Sequence, residues 1–278
     1  MDTNDLAKRM KEYEKTNRHY LKAKMPVILR LDMRAGHSFC KGFKRPFDEI
    51  FIKSMQETAK YLCENISGCK LSYQQSDEIT LVLVDYEKVE TQPWFDYRTD
   101  KLCSIAASMA TLAFNKYFWK NTEAYIDEHY DDQYEAKYIN TLEKSIEKGA
   151  MFDCRCFNIP KEEVTNCIYW RQLDATRNSV QMVGQANFSH KELQHKTCKM
   201  IKDMLMTQKG INWDDLPTYQ KFGSCCIKDN TTITCASTDD NGEVKTWATQ
   251  RPHWIIDREI PVFKDEGREY IERLINFK

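Results

Sequence analysis

This chain of 278 residues lacks any apolar run long enough to cross a membrane as a helix. Its first residues, MDTNDLAKRMKEYEK, are polar and mixed in charge, unlike a signal peptide. A cytoplasmic location is the resulting expectation. An excess of one charge is also missing: 41 Lys and Arg face 42 Asp and Glu, giving a net charge of -1. Nothing therefore draws polyanions to the surface as a whole, and a nucleic-acid partner must meet a local basic patch. Zinc-knuckle spacing is absent too, since Cys154 and Cys156 are separated by one residue and Cys225 and Cys226 by none. The eleven cysteines are scattered, mostly among apolar neighbours, and are expected to be reduced thiols rather than a disulfide framework. Repeats and low-complexity tracts are lacking.

What is present reads as a mixed α/β pattern. Leu6, Met10 and Tyr13 mark an N-terminal helix reaching about Lys22, and MPVILRLD follows as a strand. Apolar positions at Ile50, Phe51, Met55, Ala59 and Leu62 predict an amphipathic helix from Phe47 to about Asn65. KLSYQQ and ITLVLVDY predict a hairpin with Ser76, Asp77 and Glu78 at its tip. KLCSIAASMATLAFNKYF reads as a long helix whose small residues let it lie close to a sheet, and AMFDCRCFNI as a further strand. The order strand, helix, strand, strand, helix, strand is the split βαβ pattern of an α+β, ferredoxin-like fold, shared by polymerase palms and nucleotidyl cyclases. After Pro160 a helix is expected to end by Gly184, then a helical stretch over SHKELQHKTCKMIKDMLMTQKG. FGSCCIK, TTITCAS and EVKTWATQ read as a small sheet, with Asp239, Asp240, Asn241 and Gly242 as a hairpin turn. The expected division is a palm-like catalytic core over 1–160 and a helical and β appendix over 161–278, packed on that core.

RLDMRAGHSF, residues 30 to 39, interrupts an apolar strand with one carboxylate. In the split βαβ arrangement the first and third strands are neighbours, so Asp32 at one strand end and Asp77 at the hairpin tip can converge. Two converging acids repel unless a cation joins them, and Mg²⁺ takes hard oxygen ligands from one or two carboxylates, water and substrate phosphates. Two such ions would serve phosphoryl transfer. Taken singly, Asp32 reads as a turn or helix cap, and Ser76, Asp77 and Glu78 at the hairpin tip as solvated polar residues; the pairing across matching strand ends is what favours a metal. Arg155, a strand arginine, needs an anion, and its fork of donors suits phosphate.

RLDMRAGHSF, YQQSDE, FDCR and YWRQLDATRNS, in this order, closely resemble the tRNA-His guanylyltransferase family. The similarity is nearest to its bacterial and archaeal branch of 3′-to-5′ polymerases, and runs from the N-terminal helix to the final EIPVF. The resemblance implies an enzyme that extends RNA at its 5′ end after activating that end with ATP or GTP. It also implies nucleoside triphosphate substrates, two Mg²⁺ ions, a tRNA partner and a homotetramer. Carried over residue by residue, Asp32 and Asp77 are metal ligands and Glu78 the adjacent catalytic acid, while Ser76 contacts the triphosphate. Met33 stands where the family has glycine and offers a backbone carbonyl to metal; Gly36 stands where it has phenylalanine. The amides of Arg34, Ala35, Gly36 and His37 would cradle phosphates.

KRPFDE resembles a family segment near the nucleotide base, making Arg45 and Asp48 candidate contacts, with helix capping the other reading of Asp48. Arg155 matches an arginine near the phosphates, and Lys221 of KFGSCC a lysine that meets the activating nucleotide or stands solvated. In the eukaryotic enzymes the last motif carries His-x-Asn-Asn; here Thr176-Arg177-Asn178-Ser179 lacks the histidine. That favours templated repair of 5′-truncated tRNA over tRNA-His guanylylation, with Asn178, Arg177 and Arg171 as RNA contacts. Lys116, Lys120, Arg171, Arg177, Lys191 and Lys196 would supply the basic patch, or simply form solvated helix faces. A cyclase and a silent tRNA-binding relative are the rival readings.

Overall fold

The computed structural model describes residues 5–238 and 244–276. Its helices are α1 (Asp5–Lys15), α2 (Gly36–Phe39), α3 (Glu49–Asn65), α4 (Thr99–Glu128), α5 (Ala136–Lys148), α6 (Val164–Asn187), α7 (His190–Leu193), α8 (Cys198–Met204), α9 (Thr218–Phe222) and α10 (Glu269–Ile275). Strands β1 (Val27–Met33), β2 (Cys69–Gln75), β3 (Glu78–Leu83), β4 (Phe152–Asn158), β5 (Ser224–Thr238) and β6 (Val244–Asp257) form one sheet in the order β4-β1-β3-β2-β5-β6. Every neighbouring pair is antiparallel. The first four strands thus stand 4-1-3-2, the ferredoxin-like order expected from the sequence.

Strand alternation divides β1 between two cores. Leu29, Leu31 and Met33 face α3 and α4, where Phe39, Phe43, Phe51, Phe114 and Phe118 form a cluster of rings with centroids 5.3 to 6.5 Å apart. Ala106, Ala110 and Ala113 of α4 are buried, as the small-residue stripe predicted. Ile28 faces the other side, against Val164, Ile168 and Ala175 of α6 and Phe263, Ile271 and Ile275 of the C-terminal segment. Arg30 and Asp32 alternate onto this second face.

Several local expectations change, among them the N-terminal helix, which ends at Lys15 and not near Lys22. FGSCCIK and TTITCAS belong to one strand, β5, and β5 with β6 extends the palm sheet instead of making a separate one. The stretch after α6 is broken because Ser189 closes a capping box with Glu192, and Thr197 caps a second start after His195 turns left-handed. Helix α5 was not anticipated, although Tyr138, Leu142 and Ile146 recur every four residues. The turn read at Asp239 to Gly242 lies outside the described residues. Among described residues the cysteines are free thiols.

Candidate active site

The tip of the β2–β3 hairpin and the segment after β1 meet at a cavity of about 670 Å³. Gly36, His37, Arg45, Asp48, Ser76, Asp77, Asn178 and Lys221 line it, together with Phe43, Phe47, Met182 and Gln185, which sequence reasoning missed. Those four carry no polar cluster or spacing of their own, so only the fold could collect them. The volume and the mixture of rings with a few polar groups suit a nucleotide-sized ligand.

Local backbone geometry sets the hairpin against the loop. The Met33 N–H donates to the Asp77 carbonyl at 3.1 Å, so the Asp77 backbone is tied directly beside Asp32. Ala35 at φ 56° and Ser76 at φ 48° both occupy the left-handed region, uncommon for residues with a side chain and frequent where function holds a turn in place. Gly36 leaves the Asp77 carboxylate its place: a Cβ there would lie 2.0 Å from Asp77 Oδ2 and displace it. Met33 is outside the left-handed region and its side chain is buried in the core, so no glycine is needed at that position by conformation.

Asp32 stands opposite Glu78 on β3 and Asp153 on β4. Burial, then the charges of Asp77, Glu78 and Asp153, push its carboxyl up to about 6 against a partial offset from Arg155. Asp153 was missed from the sequence although FDCR contains it; its place beside Asp32 follows only from strand register. Asp32 and Asp77 offer hard oxygen ligands, and the mutual repulsion is what a cation would relieve. Among described residues no three His, Cys, Asp or Glu side chains close around a metal by themselves.

Several expected contacts are spoken for. The Arg34 amide donates to the Met151 carbonyl at 2.8 Å, so the amides left for a phosphate cradle are those of Ala35, Gly36 and His37. His37 is exposed rather than buried. Glu78 is buried, and Arg171 grips it bidentately, Nε to Oε1 at 2.7 Å and a terminal nitrogen to Oε2 at 2.8 Å. The Glu78 carboxylate is thus taken up by this ion pair, and Arg171, also bonded to Asp174 at 2.9 Å, is buried rather than exposed. Arg177 is exposed but paired with Asp174. Asp48 caps α3, accepting from the Phe51 N–H at 3.0 Å, and also takes the Lys44 N–H at 3.0 Å and the Tyr138 hydroxyl at 2.6 Å. Arg155 lies outside the cavity lining. Lys221 lines it while donating to the Asp214 carbonyl. The expected basic patch is divided, because α4 with Lys116 and Lys120 packs on one face of the sheet and α6 on the other.

A family model described as Thg1, tRNAHis guanylyltransferase, matches residues 7–160. The chain belongs to the Thg1 family. This is a family of nucleotidyltransferases, and its model spans β1 through β4, where Asp32 and Asp77 lie. A bacterial Thg1-like protein in complex with ATP is 38% identical, with a TM-score of 0.77, covering 99% of this chain and 100% of that one. The structure of a bacterial Thg1-like protein in complex with GTP is 35% identical with a TM-score of 0.73, covering 98% and 99%. A tRNA(His) guanylyltransferase of Debaryomyces hansenii is 24% identical over 79% of each chain. No helix among the described residues of this Thg1-family chain is long and apolar enough to cross a membrane.

Proposed function

We propose that the protein is an Mg²⁺-dependent 3′-to-5′ nucleotidyltransferase that repairs 5′-truncated tRNA by template-matched addition. The observation that carries this reading is Asp77 on the wall of a nucleotide-sized cavity, its carbonyl accepting from the Met33 N–H next to Asp32. ATP and GTP complexes of similar bacterial proteins support nucleotides as the cavity's ligands. Asp32, Asp77 and the Met33 carbonyl would hold the metal, which when bound polarises phosphate oxygens and lowers the pKa of an attacking hydroxyl. The residues of the chain supply position. Gly36 leaves room for the Asp77 carboxylate, the free amides of Ala35, Gly36 and His37 face phosphate charge, and Arg45 and Lys221 add cations at the cavity wall. The missing histidine before Asn178 supports repair over tRNA-His guanylylation; a homotetramer is part of the reading by family resemblance, and a cytoplasmic location by the polar, mixed-charge N-terminal sequence.

The test incubates the protein with Mg²⁺, labelled nucleoside triphosphates and a tRNA lacking its first 5′ nucleotide, carrying a 5′-monophosphate or 5′-triphosphate. Template-matched growth in wild type and none in Asp77→Asn is the expected result. Full activity in Asp77→Asn refutes the assignment, and tRNA binding without growth in wild type supports a silent relative.

A further inference from the structure

On the face of the sheet covered by α6, side chains lie in rows across β4, β1 and β3. Asp153, Asp32 and Glu78 form the row nearest the hairpin tip; Arg155, Arg30 and Thr80 form the next; Phe157, Ile28 and Val82 follow. Residues directly opposite on antiparallel strands share a face with Cβ atoms about 5 Å apart, and like charges so placed are destabilising. Arg30 and Arg155 nonetheless stand opposite each other. Among described residues the arginine ion pairs belong to Arg18, Arg98, Arg171, Arg177 and Arg268, so neither member of this pair has a carboxylate within 4 Å. Two arginines at facing positions, neither in an ion pair, are suited to share an anion, and a phosphate monoester supplies enough charge and oxygens for both.

An aromatic platform adjoins the pair. The Arg30 guanidinium lies 5.5 Å from the Trp170 ring centroid, and the indole is 52% exposed. Along α6, Trp170 meets the arginine row, Arg171 holds the acid row, and Asn178 lines the cavity. The eight-residue step from Trp170 to Asn178 spans about 12 Å of helix. The acids thus lie between the nucleotide cavity on one side and an open strip of two arginines and an indole on the other. A free nucleotide has its enclosure in the cavity, whereas an open strip suits the end of a chain that must continue across the surface. Exposed aromatics next to cations are how proteins hold unpaired nucleotides.

We propose that Arg30, Arg155 and Trp170 receive the 5′-terminal nucleotide of the RNA, the arginines taking its phosphate and the indole its base. This rests on the reading of the protein as a 5′-end nucleotidyltransferase, and it names the groups that present that end to the acids.

The experiment measures affinity of the full chain for an acceptor-stem hairpin RNA with a 5′-monophosphate, for the same RNA with a 5′-hydroxyl, and for ATP, at several salt concentrations. Wild type is expected to favour the phosphorylated RNA about tenfold, the scale of a charge-assisted contact. Arg30→Gln and Arg155→Gln should each erase most of that preference and reduce the salt slope by about one, while Arg30→Lys keeps part of it. Trp170→Ala should weaken both RNAs about tenfold and Trp170→Phe much less. ATP affinity should stay within twofold throughout, and unfolding midpoints identify any variant that fails to fold, for which the Lys or Phe form is used. Undiminished preference for the phosphate in both arginine variants overturns the proposal, as does a loss confined to ATP, which would give the arginines to the free triphosphate. If wild type extends RNA in either case, the proposed function stands without this inference. Wild type that neither binds nor extends RNA overturns both.

Discussion

Replacing Arg171 by methionine should destabilise the fold by about 3–5 kcal/mol, the usual cost of leaving one partner of a buried ion pair alone. The two ions are 9% and 7% exposed. Arg171 makes three charge-assisted bonds, at 2.7 and 2.8 Å to Glu78 and 2.9 Å to Asp174. Once it is gone, the side-chain bond left to the Glu78 carboxylate among described residues is that of the Thr80 hydroxyl at 3.3 Å. Asp174 loses less, being half-buried and still paired with Arg177. The double variant Glu78→Gln, Arg171→Met removes both charges and should return to within about 1–2 kcal/mol of wild type, because an uncharged replacement avoids the desolvation of two ions. Urea unfolding of wild type, both single variants and the double variant at pH 7 gives the coupling energy directly. A loss below about 1 kcal/mol in Arg171→Met, or no recovery in the double variant, refutes the account of Glu78 as a buried anchor. The same four proteins test its role in the reaction. An anchor acting through Asp77 predicts that the double variant keeps measurable nucleotide addition; a direct metal ligand predicts none.

Gly36→Ala should cost about 100-fold in rate, the scale expected when a reacting group is displaced by an ångström, because its Cβ would come within 2.0 Å of Asp77 Oδ2 and push that carboxylate aside; single-turnover addition together with a thermal melt checks this, and a wild-type rate counts against the contact. Asp32→Asn should stabilise the metal-free protein at pH 7. The folded carboxyl is raised from 3.8 to about 6, so its cost is absent below about pH 4 and grows as pH rises through 6. About 1.4 kcal/mol per pH unit gives about 3 kcal/mol, reduced by half or more because the group is only half-buried. Denaturant unfolding with chelator at pH 4 and pH 7 reads the gain, and one that persists unchanged at pH 4 refutes the carboxylate charge as its cause. Asp48→Ala should lose about 2–3 kcal/mol through the cap and the stranded Tyr138 hydroxyl, whereas Asp48→Asn should recover much of it; ATP affinity lost in Asp48→Asn at unchanged stability would instead make the carboxylate a nucleotide contact.

Legibility from sequence ended where long-range register began. The order of strands and helices from Val27 to Asn158 was readable because each strand is a short apolar run with turn residues at its ends, and each long helix repeats apolar residues at helical spacing. That order was enough to bring Asp32 beside the hairpin tip. Nothing local, however, says which residue of β4 stands opposite Asp32, so Asp153 went unread although Arg155, two residues on, was singled out for its charge. Charge itself misled at Glu78 and Arg171: an acid at a hairpin tip and an arginine on a helix each read as solvent-facing, and only the packing of α6 across β3 turns them into one buried pair. Glycine misled in the opposite direction. Its absence at Met33 looked like the departure that mattered, yet the strand there needs no special conformation. The close approach that excludes a side chain lies three residues on, at Gly36, where the fold puts the Asp77 carboxylate against the backbone. Residues whose role is set by local conformation were therefore legible, and residues whose role is set by a partner on another strand or helix were not. The acid pair was legible because the split βαβ order already makes β1 and β3 neighbours, which sets Asp32 at the end of one strand beside the tip from which the other starts.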